Sequence, residues 1–165
     1  MKLHLFPPQD LRQFLALCDG TWLTLRSRFD LNSKDLGENG DEWHSSEKGE
    51  LLVSYLEPRQ LDHPGGLAVT SAGAATLKLQ FSPEGEILQD IDSNSTKLGE
   101  WQFWADGSLE LVASAEGNEV RERIWFTKAN LRLRSCIVHA ADGQPGLASF
   151  HTDIRRVSRP AQTSA

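Results

Sequence analysis

Arg132 and Arg134 stand two residues apart in a run, Leu131 to Ala140, that reads as a β-strand. Side chains along a strand alternate faces, so both guanidiniums point the same way. Two arginines on one strand face make a poor core. They make a good clamp for two carboxylates, because each offers a planar fork of donors. If that face lines a barrel, it forms a pocket for a flat, apolar, dianionic ligand. The competing reading is a solvated strand face with ordinary ion pairs. Cys136 is in phase with both arginines and shares their face, where a buried, inert thiol is the simpler role for it.

The elements that must position these residues are short strands. Around the arginines, Glu119 to Phe126, Leu131 to Ala140 and Leu147 to Val157 alternate with turns. Trp101 to Trp104, Asp106-Gly107 and Ser108 to Ser114 predict a hairpin. Ala74 to Phe81 and Glu86 to Ile91 flank Ser82-Pro83-Glu84-Gly85, a strong turn signal. Leu51 to Leu56 and Leu67 to Ser71 precede them, and Thr21 to Leu31 opens the series, with Trp22, Thr24, Arg26 and Arg28 on one face. Asn32 to Gly49 is polar and acidic and predicts a long loop. Gln9 to Asp19 is the one helix: Leu11, Phe14, Leu15 and Cys18 fall on one stripe, after Pro7-Pro8 and before Gly20. Residues 158–165 predict a disordered tail. Eight to ten strands at hairpin spacing behind one N-terminal helix fit an all-β, up-and-down antiparallel barrel, closed so that no edge is exposed. A barrel of this size holds one small ligand.

Composition bounds the function classes. A chain of 165 residues predicts a single domain, 1–165. A net charge of −6 argues against general nucleic-acid binding, which needs a basic surface. Two cysteines far apart predict neither a disulfide framework nor a zinc site. The five histidines lack metal-ligand spacing, so no metal is expected. The stretch Asp30 to Lys34 starts like a calcium loop but lacks the glycine and glutamate that such a loop needs. The N-terminus has no apolar signal core, and no 18-residue apolar run follows, so no membrane span is expected.

The segments Glu122 to Phe126 (ERIWF), Asn130 to Arg134 (NLRLR), Ala148 to Phe150 (ASF) and Asp153 to Arg155 (DIR) together resemble the S/U-type phycobiliprotein lyases, the CpcS/CpeS and CpcU/CpeU group. The helix followed by Gly20-Thr21-Trp22, with Arg26 in the same strand, resembles that family's start. Asp106 to Leu111 (DGSLEL) resembles its central hairpin. The likeness is dense in the C-terminal third and thin between residues 30 and 98.

The resemblance implies a barrel like those of lipocalins and fatty-acid-binding proteins. It implies an enzyme that joins an open-chain tetrapyrrole, a phycobilin such as phycocyanobilin or phycoerythrobilin, to a cysteine of a phycobiliprotein α or β subunit through a thioether. The bilin is substrate, and no further cofactor is expected. The setting would be the cyanobacterial cytoplasm or a plastid stroma. Arg132 and Arg134, with Arg26 as a third candidate, would pair with the bilin propionates, and Trp125 would join the bilin-binding set. Asp153 or Glu122 would accept from the pyrrole nitrogens and make the ethylidene carbon more electrophilic toward the thiol. For both carboxylates a structural salt bridge to an arginine is the alternative. Family members that act alone often carry a His pair a few residues past the first-strand Trp, where this chain has Phe29 and Asp30. They also carry tryptophans where this chain runs from Leu67 to Leu77 without one. Those departures fit a U-like role, in a homodimer or in a heterodimer with an S-type subunit, and an altered bilin preference would explain them equally. Leu131, Leu133 and Ile137, opposite in phase to the arginines, would then face a partner or packed loops. A noncatalytic bilin or lipid carrier on the same barrel is the alternative function.

Overall fold

The computed structural model describes residues 6–31 and 44–157. Helix α1 (Leu11–Leu17) precedes ten strands: β1 (Gly20–Asp30), β2 (His44–Leu56), β3 (Gly65–Ser71), β4 (Leu77–Phe81), β5 (Glu86–Ile91), β6 (Asn94–Phe103), β7 (Leu109–Ala115), β8 (Asn118–Lys128), β9 (Leu131–His139) and β10 (Pro145–Arg155). Every strand is antiparallel to its neighbours in sequence, and β1 pairs with both β2 and β10, which closes the barrel. No helix among the described residues is long and apolar enough to cross a bilayer.

The helix forms where the apolar stripe predicts it. The Asp10 side chain accepts a hydrogen bond from Gln13 N at 2.8 Å, which satisfies one of the free amides of the first turn. Leu11, Phe14, Leu15 and Cys18 all become buried, so α1 acts as a plug for one end of the barrel. The Phe14 ring meets Phe126 and Phe103 edge-on, with centroids 5.1 and 5.9 Å apart. Trp22, Leu51, Val53, Leu67, Leu79, Phe81, Ile87, Leu109 and Ile124 supply the rest of this apolar floor from seven strands.

Two segments differ from the sequence expectation. Residues 44–49, expected in a long loop, are strand: Lys48 lies opposite Leu25 and Glu47 opposite Arg26. Strand pairing here is carried by backbone hydrogen bonds to β1, which need no apolar side chain and so leave no pattern. The rest of that loop, residues 32–43, and the tail at 158–165 lie outside the described residues. Strand β6 also starts earlier than Trp101, at Asn94, because Asp92 takes a left-handed conformation (φ 53°) that turns the chain back in two residues. Asp is among the few L-residues that tolerate it.

The alternation decides which side chains see the interior. On β1, Trp22 is buried while Leu23 and Leu25 are exposed; on β10, Asp153 is buried while Ile154 and Phe150 are exposed. The inner faces therefore carry Trp22, Thr24 and Arg26 on β1; Glu122, Ile124 and Phe126 on β8; Arg132, Arg134 and Cys136 on β9; and Ser149, His151 and Asp153 on β10. Leu131, Leu133 and Ile137 face outward, in the phase expected.

Truncating the plug tests its role. Phe14→Ala should lower unfolding free energy by about 3–5 kcal/mol, since it deletes a fully buried ring. Leu61→Ala, at a side chain left 99% exposed, should change it by less than about 0.5 kcal/mol in the same urea titration.

Candidate functional site

Asp153 is fully buried, and two arginines of the neighbouring strand hold it. Arg132 Nε donates to Asp153 Oδ2 at 2.9 Å. Arg134 donates through Nε to Oδ2 at 2.7 Å and through Nη2 to Oδ1 at 3.1 Å, a two-point fork. Arg134 Nη2 also reaches Thr24 Oγ1 at 3.4 Å. The register explains the meeting: Thr24, Asp153 and Arg132 lie side by side on β1, β10 and β9, all facing in. Burial alone would push the Asp153 carboxyl up. The Arg134 hydrogen bonds and the charges of Arg134 and Arg132 outweigh it and hold the carboxyl below its ordinary range. Asp153 is thus a permanent anion, and two cations on one anion leave a net positive charge.

Below this row the cluster grips the floor. The Arg132 guanidinium carbon lies 5.0 Å from the Trp22 ring centroid and that of Arg155 lies 4.2 Å from it, so the indole is flanked by two cations. Trp22 Nε1 donates to Cys18 O at 2.9 Å. Arg155 donates to the backbone carbonyls of Leu17, Asp19 and Ala129, and to Asn130 Oδ1 at 3.0 Å, tying the end of α1 to the β8–β9 turn. Gly20 makes room for it: a Cβ there would stand 2.7 Å from Arg155 Nη1. The Cys18 thiol, against Arg132, is pushed up by burial and stays protonated.

Above the row the wall stays polar. Arg26 lies opposite His151, which lies opposite Arg134; Ser149 lies opposite Cys136, which lies opposite Glu122. Glu122 is outside the ion-pair cluster. Burial pushes its carboxyl up, and Arg134 and Arg132 offset this only in part. Cys136 is pushed up by burial and by Glu122, which makes it a thiol rather than a thiolate. Arg26 pairs through Nη1 with Glu47 Oε1 at 3.1 Å, near the exposed rim.

The structure therefore brings Arg132, Arg134, Asp153, Glu122 and Arg26 to one interior wall. Trp125 is elsewhere. It faces out beside Leu133, with its ring edge-on to Phe150 at 6.2 Å, and borders an outer cleft of about 340 Å³ with Pro7, Pro8 and Arg123. Its odd position in β8 is out of phase with Glu122 and Ile124, and that parity is the signal that separates them. Sequence reasoning passed over Trp22 and His151 as site residues. For His151 the signal was present, since it is two residues from Asp153 on the same strand.

Comparison with known proteins places this wall in context. A model of the CpeS-like protein family matches residues 69–156. A chromophore lyase CpcS/CpeS of Paulinella chromatophora is 42% identical over 155 residues, covering 93% of this chain and 92% of its own length. Another, from Synechocystis, is 24% identical over 92% of this chain and 94% of its own. The solved structure of an S-type phycobiliprotein lyase from Guillardia theta superposes with a TM-score of 0.66 at 18% identity, covering 91% of this chain and 94% of that one.

Two stability measurements follow from the electrostatics. Asp153→Asn should cost about 3–5 kcal/mol, because it leaves buried Arg132 and half-buried Arg134 without their anion. His151, half-buried beside Arg134 and Arg26, is depressed from 6.5 to about 4, by burial first and by Arg134 next. The unfolded chain then binds a proton that the folded one refuses, so this group's contribution is intact above pH 6.5 and is lost as pH falls toward 4. Glu122, raised, has the opposite sign. The difference between wild type and His151→Gln should isolate the imidazole, growing toward acid by on the order of 2–3 kcal/mol across that window in urea titrations.

Proposed function

This chain belongs to the CpeS-like family, and from that membership and the charge inside the barrel we propose that it joins an open-chain tetrapyrrole, a phycobilin, to a cysteine of a phycobiliprotein subunit. The observation that carries the reading is the excess of arginine on the interior wall. Arg132, Arg134 and Arg26 face in around one permanent internal anion, Asp153. A bilin presents two propionates on a flat apolar body, and this wall complements it.

The two carboxylates take different roles. Asp153 is saturated by arginine and fully buried, so it acts as a positioning residue that aims Arg134. Burial pushes the Glu122 carboxyl up and so favours its acid form, from which it can pass a proton to a basic ring nitrogen of the bilin. The carboxylate that remains then accepts from the new N–H, and the bilin cation is more electrophilic at its ethylidene carbon. The acceptor thiol adds there: the C–S bond forms, the exocyclic double bond is consumed, and the thiol proton ends on the adjacent ring carbon. Holding one bilin face toward one thiol supplies orientation.

A U-like role in a two-subunit lyase is the form we favour. Its support is the missing His pair at Phe29 and Asp30 together with an outward apolar face. Leu23 and Leu25 on β1, Ile154 and Phe150 on β10, and Ile137 on β9 are exposed on adjoining strands. An S-type subunit or a second copy of this chain would cover that face. The reaction's expected setting is the cyanobacterial cytoplasm or a plastid stroma.

Co-expression with bilin biosynthesis and separate phycobiliprotein α and β subunits, with and without an S-type partner, tests the reading. The readout is bilin fluorescence on denatured acceptor, which only a covalent bond survives. Labelling is expected when the partner is present, and Arg134→Ala should reduce it at least tenfold, with circular dichroism of the variant as the check on its fold. Bilin that copurifies with this chain, with no labelling in any combination, would leave a noncatalytic carrier instead.

A further inference from the structure

Two buried nitrogens on the inner wall have no protein partner among the described residues: Arg26 Nε and His151 Nδ1. Their side chains lie directly opposite each other across β1 and β10, on the inner face. His151 is in turn opposite Arg134. The row Arg26–His151–Arg134 sits one step from Thr24–Asp153–Arg132, on the side away from α1. The lower row holds its own carboxylate, and the upper row holds none. Arg134 is spent downward on Asp153, and Arg26 uses Nη1 on Glu47 at the rim. What remains buried is the Nε–H of a permanent cation beside one imidazole nitrogen, both without a partner among the described residues. Buried polar nitrogens are nearly always satisfied, and a vacant adjacent pair points to a ligand atom.

We propose that Arg26 and His151 form a second carboxylate site on the barrel wall, where a propionate of the substrate accepts from both side chains and its arrival places a proton on His151. This deepens the bilin reading and rests on it. Either a carbonyl or a carboxylate could accept from both groups, but only the carboxylate brings the negative charge that offsets Arg26 and a protonated His151. The surroundings make the proton conditional. From β9, Arg134 and Arg132 face His151 with positive charge, and Cys136 is a neutral thiol. From β1, Arg26 and Arg28 add positive charge. Asp153 beside it on β10 is already shared by two arginines. Burial pushes the Glu122 carboxyl on β8 toward its neutral form, and Glu47 on β2 is drawn to Arg26. With the wall empty, burial, Arg134 and Arg26 keep the imidazole neutral down to about pH 4. A carboxylate seated between Arg26 and His151 reverses the local field. Between pH 4 and the higher pKa of the complex, binding then takes up one proton, and affinity rises as pH falls, by up to about tenfold per unit.

The test is calorimetric titration of phycocyanobilin and of its dimethyl ester into this chain, alone and with an S-type partner. Titrations run from pH 7.5 to 5.5 in buffers of different ionisation enthalpy, which count protons directly. Wild type should take up close to one proton more per free-acid bilin than His151→Gln does, and its affinity should steepen toward acid relative to that variant. Arg26→Gln should weaken free-acid binding at every pH and shrink the same proton count. With the dimethyl ester, wild type and His151→Gln should behave alike. Equal proton counts and equal slopes for wild type and His151→Gln on the free acid would remove this site while leaving bilin binding in place. An ester bound with the same difference between them would also remove it. Absence of bilin binding at any pH, even beside the partner, would remove the bilin reading and this site together.

Discussion

The Asp153 carboxylate, shut away from water between Arg132 and Arg134, is the constraint on which the rest of the interior depends. A buried carboxylate alone would be prohibitively costly, and so would either buried guanidinium. Together they are tolerable, provided that the geometry is fixed. Each charge therefore dictates the position of the others, and three strands must keep their register for the fork at Arg134 to close. The same cluster leaves one net positive charge in a space that a mostly apolar barrel would otherwise keep neutral. That surplus is the charge on which the proposed bilin site draws.

The cluster also joins the closed end of the barrel to its open half. The guanidiniums of Arg132 and Arg155 both lie over the Trp22 ring, and Arg155 ties the end of α1 and the β8–β9 turn to β10. Beneath lies an aromatic and aliphatic floor plugged by Phe14 and Leu15. Above lies a wall of Arg26, His151, Cys136 and Glu122. The chemistry is graded along the wall: titratable groups farthest from α1, fixed charge next, apolar packing against the helix. Division of labour between the two carboxylates follows from the same gradient. Arginine holds the Asp153 carboxyl below its ordinary range, and burial pushes the Glu122 carboxyl above it.

Much of this was legible in the chain. The period-two spacing of Arg132 and Arg134 placed both on one face, and the ridge of Leu11, Phe14, Leu15 and Cys18 gave the plug. Strand count and hairpin spacing gave a closed barrel, because no other arrangement leaves so many short strands without an edge. Less was legible where the determinants are long-range. That Arg132 and Arg134 converge on one carboxylate depends on the β9–β10 register, which local pattern does not encode. Residues 44–49 look like loop because their pairing with β1 is made by backbone. Trp125 was grouped with the arginines although its odd position in β8 turns it outward, a distinction that needs only the phase of Glu122 and Ile124. His151 drew attention only as a metal ligand that lacked partners. Its interest lies in a missing hydrogen bond, which no sequence displays.

The most direct measurement is a crystal structure of this chain, with its S-type partner if one is required, bound to phycocyanobilin. The bilin should lie inside the barrel with its propionates within hydrogen-bonding distance of Arg134 and Arg26, while Arg132 and Arg134 still hold Asp153. A bilin seated on the outer face beside Trp125, or one inside the barrel with both propionates turned away from the arginines, would contradict the claim that this buried ion cluster creates the substrate site.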